Sequence, residues 1–381
     1  MSEISIPDTV PLSFKVRGWL ARPWLLNMLF RLRGAGRVLP PVFGHRFLLL
    51  GGTYEDVQKA LTRIRSLDQW ATEWERIAQR RETQATEALE AGFTVTAEQY
   101  FRMAAAYYHY AEFMLFGDRA NKARLYAKCA SCYRQASTFF DPPAEPVNIP
   151  FRDLTLPGYL RKPHNVEYPP CVVLVNGADS VKEEVRFMDE SFLARGCASL
   201  AFDGPGIGEM ANQTHVPLEY EEVGTAVFDY LAARGDVDVK RIGLFGPSLG
   251  GNLVIRIAAF EHRYRACISL SGPYDAHRCW KHMMPIYRQE ALHVYGVTSE
   301  AQWETLARRI SLQGVVRKVK CPLLVIGGGR DVVIPGDEAK RIYAEAECSK
   351  ELIYYEDADH VCVDRFYDLL PQLERWLADN L

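Results

Sequence analysis

Three residues far apart in the chain have the types needed to make and break an acyl bond: Ser248, Asp331 and His360. A serine hydroxyl is a weak nucleophile until a base takes its proton, and that base must be held in the right orientation by a third group. Ser248 lies in Gly246-Pro247-Ser248-Leu249-Gly250, between the apolar run 241–245 and an amphipathic stretch that continues through Phe260. Read as strand, sharp turn and helix, this context forces the serine into a strained, exposed position above a sheet. Asp331 follows Gly327-Gly328-Gly329-Arg330, and His360 follows Tyr355-Glu356-Asp357-Ala358-Asp359. Both fall in loops directly after expected strands, so Ser248 is the candidate nucleophile, His360 the base and Asp331 the orienting acid. Asp357 and Asp359 read instead as turn residues, because aspartate favours such loops by bonding its own backbone.

Acyl transfer also needs donors aimed at the developing oxyanion, usually backbone N–H groups. Leu249, immediately after the nucleophile, is one expected donor. Ala178, in the loop Asn176-Gly177-Ala178-Asp179 after an early strand, is the other, with Gly177 permitting the close turn. Asp179 is read as a brace of this loop or a contact for a substrate hydroxyl. His277 and His282, in a later helical stretch, and Tyr108, in an aromatic helix, are further candidate substrate contacts. Cys129 and Cys132 form a CxxC pair, but with no second pair and no nearby histidine they read as packing. No metal and no cofactor is expected.

The elements that must position these residues change style near Asp141-Pro142-Pro143. Before that helix-breaking cluster, the chain reads as helices, with a start at Thr53 and Asp56 and a capping box from Thr96 to Gln99. Segments 101–114 and 126–139 resemble each other in their small and aromatic residues, which indicates a helical bundle. After Pro150 the order is an edge hairpin over 147–160, a buried strand at 171–175, a helix capped by Ser180 and Glu183, and then strands alternating with helices. Helical segments interrupt the alternation over 273–319, where an insertion above the carboxyl ends of the strands is placed to act as a lid. The expected fold is α/β: a mostly parallel, doubly wound sheet over 142–381 with this lid, preceded by a helical cap domain over 1–141. Cap and lid, both rich in aromatics, are expected to roof the active site.

Composition narrows the partners. The 381 residues carry a net charge of −3, which gives no electrostatic reason to bind nucleic acid or an anionic membrane surface. Nine cysteines without framework spacing favour a reducing compartment. The start lacks a signal-peptide layout and no apolar run reaches the roughly 20 residues that span a bilayer. A cytoplasmic protein acting on a small molecule is the expectation, with the apolar segment 24–30 packing on the body or on another subunit.

The order Ser, Asp, His at carboxyl strand ends matches the α/β-hydrolase arrangement. Two further segments, Asn176-Gly177-Ala178-Asp179-Ser180-Val181-Lys182-Glu183-Glu184 and Phe202-Asp203-Gly204-Pro205-Gly206-Ile207-Gly208-Glu209-Met210, resemble one branch of that superfamily. The branch includes the fermentation-respiration switch (FrsA-like) esterases, the 2,6-dihydroxypseudooxynicotine hydrolase and fungal hydrolases that shorten polyketides. Asn176 stands where relatives often carry the first glycine of a Gly-Gly loop. The resemblance implies the α/β-hydrolase fold, the same Ser248, Asp331 and His360 roles, and a homodimer. It also implies hydrolysis of an ester, or of a C–C bond next to a ketone, in an aromatic or polyketide-like small molecule. A thioesterase or acyltransferase on the same triad, or a regulatory binding protein with a hydrolase fold, are the alternatives.

Overall fold

The computed structural model describes residues 22–115, 117–280 and 283–381; His282 lies outside them. The described chain forms two compact units, one of residues 146–182 and 188–381, the other of 22–145 together with the short segment 183–187.

The second unit is helical. In chain order its helices are α1 (Pro23–Arg33), α2 (Pro41–Leu49), α3 (Tyr54–Arg63), α4 (Trp70–Glu90), α5 (Thr94–Glu112) and α6 (Arg119–Ser137). Thr53 caps α3 by accepting the Asp56 N–H at 3.2 Å, as its sequence position suggests. The expected box at Thr96 does not form, because α5 already begins at Thr94 and Thr96 is inside it. Phe47, Trp70, Trp74, Tyr107 and Tyr110 bury their rings against one another, with centroid separations from 4.3 to 6.1 Å. Such tilted and edge contacts suit the aromatic quadrupole and add to the area these rings remove from water. Cys129 and Cys132 are buried, unbridged thiols in α6, and burial pushes Cys132 up to about 12.

The other unit starts with β1 (Glu145–Phe151) and β2 (Leu154–Arg161), the expected edge hairpin, followed by β3 (Cys171–Val175), α7 (Arg186–Leu193), β4 (Ala198–Phe202), α8 (Glu221–Arg234) and β5 (Ile242–Pro247). It continues through α9 (Leu249–Phe260), β6 (Ala266–Leu270), α10 (Ala276–Trp280), α11 (Pro285–Val294), α12 (Glu300–Ala307), β7 (Leu323–Gly328), α13 (Asp337–Glu345), β8 (Lys350–Tyr355) and α14 (Phe366–Asn380). The eight strands form one sheet in the order β1-β2-β4-β3-β5-β6-β7-β8. β2 runs antiparallel to β4, and every pair from β4 through β8 is parallel. The central strands are buried along their whole length, which is why they read as unbroken apolar runs rather than alternating ones. β8, at the edge, is only half-buried.

One helix expectation is corrected. Ser180 does not cap a continuous helix: a short 3-10 turn over Lys182–Glu184 precedes α7, which begins at Arg186. Glu183 is drawn away from a capping role because its carboxylate accepts the Tyr126 hydroxyl at 3.1 Å. A tertiary partner outcompetes the local one.

Register brings the site together. Pro247 pairs with Leu270, Leu270 with Ile326, and Gly328 with Tyr355, so the carboxyl ends of β5 to β8 lie side by side. The loops leaving those ends carry Ser248, Asp331 and His360.

Candidate active site

Ser248 occupies the turn between β5 and α9 with φ 54° and ψ −125°, a backbone conformation that non-glycine residues adopt only under constraint. The two glycines around it are demanded by close crossing. A β-carbon at Gly246 would stand 2.2 Å from the Gly250 carbonyl oxygen, and one at Gly250 would stand 2.1 Å from that of Val175. The serine amide is fixed by donating to the Leu270 carbonyl at 2.8 Å.

Asp331 and His360 come from neighbouring loops tied to each other. The Gly329 amide donates to Tyr355 O at 2.8 Å and the Arg330 amide to Ala358 O at 2.9 Å. Asp331 is buried, and its Oδ1 accepts from the Val333 and Ile334 amides, each at 2.8 Å. That leaves Oδ2 to the Nδ1 of His360 at 2.8 Å, while His360 Nε2 lies 3.1 Å from Ser248 Oγ. Beyond the histidine, Val361 and Cys362 both take positive φ, 49° and 50°, and the Val361 amide donates to Ser271 Oγ at 3.2 Å. Strain of this kind costs about 1–3 kcal/mol per residue and persists because surrounding contacts over-determine the loop.

Charge around His360 favours its protonated form. Burial opposes protonation, but the Asp331 carboxylate outweighs it, with Asp179 and Asp359 adding to the effect, so the imidazole titrates above its ordinary 6.5. Asp359 itself is raised by burial and accepts the His360 amide at 2.8 Å, a turn role of the kind its position suggests. An imidazole with one nitrogen on a fixed carboxylate and the other on a hydroxyl can take a proton from that hydroxyl and hold it as a stabilised cation.

The two residues whose amides are the expected oxyanion donors both line one cavity. Leu249 begins α9, and the first N–H groups of a helix have no acceptor within it. Ala178 follows Gly177, which packs on the elbow so closely that a β-carbon there would sit 3.2 Å from Pro247 O and 3.3 Å from Ser248 Cβ. Ala178, Asp179, Ser248, Leu249 and His360 line a cavity of about 680 Å³ including its mouth, together with Met283, Tyr287, Tyr295 and Trp303 of the 273–319 insertion.

The remaining candidates separate. Asp179 borders the cavity beside Ser248. His277 is on α10, whose Ala276 and Cys279 line the cavity, but His277 itself is not on the lining. Tyr108 is 1 % exposed within the helical unit, its hydroxyl donating to Glu82 and its ring facing the Lys128 ammonium at 5.9 Å. Among the described residues, no cluster of three or more His, Cys, Asp or Glu is arranged to hold a metal ion.

Sequence reasoning passed over the support behind the Ala178 loop. Asp203, fully buried at the end of β4, accepts hydrogen bonds from Asn176 and Lys182 on that loop. A lone aspartate in Asp203-Gly204-Pro205-Gly206 reads as a turn residue, and its neighbours in sequence carry no mark of its burial. Glu290, a buried acid on the cavity lining, was also missed.

Comparison with known proteins agrees with this architecture. The family model described as esterase FrsA-like matches residues 53–381. The 2,6-dihydropseudooxynicotine hydrolase of Paenarthrobacter nicotinovorans is 30% identical over 340 residues, spanning 88% of this chain and 91% of that protein. The 20-hydroxy-prefusarin hydrolase of Gibberella moniliformis is 30% identical over 342 residues, spanning 75% and 81% respectively. The crystal structure of 2,6-dihydroxy-pseudo-oxynicotine hydrolase superposes with a TM-score of 0.80 at 28% identity, covering 89% of this chain and 95% of that one. AbyA5 shares the fold, with a TM-score of 0.72 at 19% identity over 90% and 96% of the two chains. With a family match that extends from residue 53 to the last residue, and a hydrolase relative aligned along most of its length, this chain is a hydrolase belonging to the FrsA-like esterase family.

Proposed function

We propose that the protein is a serine hydrolase that works through an acyl-enzyme, with Ser248 as nucleophile, His360 as general base and then acid, and Asp331 as the group that orients the histidine. The observation that carries this reading is the chain of contacts from Ser248 Oγ to His360 Nε2 at 3.1 Å and from His360 Nδ1 to Asp331 Oδ2 at 2.8 Å, built on a strained elbow. Ser248 Oγ attacks a carbonyl carbon as its proton passes to His360, and the carbonyl oxygen takes up negative charge facing the Leu249 and Ala178 amides. The bond to the leaving group breaks, His360 delivers the proton to the departing atom, and water, activated by the same imidazole, releases the acyl group.

The substrate is an ester, or a ketone whose neighbouring C–C bond is cleaved, in an aromatic or polyketide-like molecule. Tyr287, Tyr295 and Trp303 on the lining support an aromatic or flat apolar group, and relatives named as hydrolases of a pseudooxynicotine and a prefusarin support the ketonic class. Carbon is a demanding leaving atom: it departs only as a stabilised enolate or phenol-like carbanion, since an alkyl anion is far too basic. A β-diketone or an acylated hydroxyaromatic meets that condition.

The test is turnover of a panel of aryl esters, β-diketones and acylated phenols by the wild-type protein and by Ser248→Ala. Products of one class should accumulate with the wild type and be lost with the variant. Turnover that survives Ser248→Ala would refute it.

A further inference from the structure

The segment Asp203-Gly204-Pro205-Gly206-Ile207-Gly208-Glu209 takes no part in the chemistry above, yet its first residue carries a dense set of contacts aimed at the site. Asp203 is 0% exposed. Its Oδ1 accepts the Asn176 side-chain amide at 3.1 Å and the Lys182 backbone amide at 2.9 Å. Its Oδ2 accepts the Lys182 ammonium at 3.0 Å and the Glu209 amide at 3.0 Å. Lys182, buried as well, passes its charge on to Glu209 at 2.9 Å. A carboxylate has about four lone-pair sites, and a buried one is stable only when they are used.

The two ends of the Ala178 loop, Asn176 and Lys182, therefore converge on one carboxylate. Between them are only Gly177, Ala178, Asp179, Ser180 and Val181. Asn176 is further fixed by donating to Phe202 O at 3.2 Å. This explains why asparagine serves at 176: a glycine there would have no side chain with which to reach Asp203. It also explains Gly208, which has φ +54° and whose β-carbon would lie 2.3–2.4 Å from the Asp203 carboxylate atoms. Any side chain at 208 would displace the anchor.

We propose that Asp203 is the positioning residue of the oxyanion site: gripping Asn176 and Lys182, it sets the backbone between them so that the Ala178 N–H faces the oxygen that becomes charged. This rests on the reading of Ser248 as nucleophile and Ala178 as a donor. Asp203 touches no substrate. It acts by preorganising a dipole, and preorganised donors stabilise a transition state without rearranging during the reaction.

Phosphonylation by an alkyl fluorophosphonate isolates this step without knowledge of the natural substrate. The Ser248 Oγ–P bond forms, the P–F bond breaks and fluoride leaves, the serine proton passes to His360, and the P–O oxygen takes the oxyanion position. In Asp203→Asn and Asn176→Ala the limiting labelling rate should fall about 10- to 100-fold, short of or equal to the loss of a whole donor. The reagent concentration for half-maximal rate and the pH midpoint of labelling should stay as in the wild type, because the reagent contacts and the His360–Asp331 pair are untouched. Gly208→Ala should slow labelling in the same manner. If Asp203→Asn does not fold, Asn176→Ala decides, since it removes only the two Asn176 side-chain hydrogen bonds, to Asp203 and to Phe202 O, and leaves the Lys182 pair in place. Labelling rates within twofold of wild type in the folded variants would overturn the proposal, as would a slowed rate accompanied by a shifted pH midpoint, which would implicate His360. A wild-type protein that does not label at all would instead bring down the nucleophile reading and this inference with it.

Discussion

Two histidines, one in each unit, meet carboxylates in different ways. His360 has a carboxylate on one nitrogen only; its Nε2 faces the Ser248 hydroxyl. His109, 1% exposed in α5, has Glu112 at 2.8 Å from Nδ1 and Glu184 at 2.5 Å from Nε2. Lys122 pairs with Glu112, and Arg46 pairs with Glu184 at 3.1 Å. Burial works against a charged His109, but Glu184 and Glu112 together overcome it and lift the imidazole to about 10. Glu112 is pushed up by burial and brought down to about 2 by Lys122 and His109 together. His109 is a fixed cation inside a network of alternating charges, whereas His360 keeps one nitrogen free to exchange a proton. The number of carboxylates on the ring, rather than the histidine itself, separates the buried cation from the proposed base.

That contrast can be broken in three ways, beginning with the largest effect. Replacing His360 with alanine should lower kcat by about 10⁴- to 10⁶-fold on whichever ester or ketone the wild type turns over, while thermal unfolding changes little. Replacing His109 with alanine should do the reverse. It leaves buried carboxylates facing a void, which costs about 3–5 kcal/mol of stability; a denaturant titration followed by circular dichroism would measure it. The folded His109→Ala protein should keep the wild-type pH midpoint of kcat/KM. Loss of activity without loss of stability in His109→Ala would erase the distinction.

The smallest effects lie in pH dependence, and the two histidines give opposite signs. Folding raises His109 from 6.5 to about 10, so its contribution to stability is fully present below about pH 6.5 and is lost as pH climbs toward 10. As the proposed general base His360 must be neutral for activity, and its titration above 6.5 places the acid limb of kcat/KM above that pH. Between these limits the protein should grow more active while growing less stable. Asp179→Asn, removing one of the charges that favour protonated His360, should move the acid limb to lower pH.

How much of this was open to a reader of the sequence follows from the range of the interactions. Ser248 announced itself because the elbow is local: the strand, the two glycines and the helix are contiguous. Asp331 and His360 were legible through topology, since parallel alternation fixes which strand ends share an edge. The helix start at Ser180 was misread because its signal was local and its outcome was not: Glu183 bonds Tyr126, 57 residues away in sequence. Asp203 and His109 were invisible for the same reason. Their partners come from distant segments, and nothing in Asp203-Gly204 or His109-Tyr110 marks a residue that will be buried and multiply bonded. Tyr108 was misleading in another way, as an aromatic at helical spacing whose hydroxyl is engaged by Glu82 within the bundle.

The central claim is that Ser248, activated by His360, is the nucleophile, and peptide mapping by mass spectrometry after fluorophosphonate treatment of the native full-length protein tests it most directly. A single phosphonyl adduct on Ser248, formed in the wild type and absent from His360→Ala under the same conditions, is the result predicted. An unlabelled native protein, or an adduct on any other residue, would contradict it.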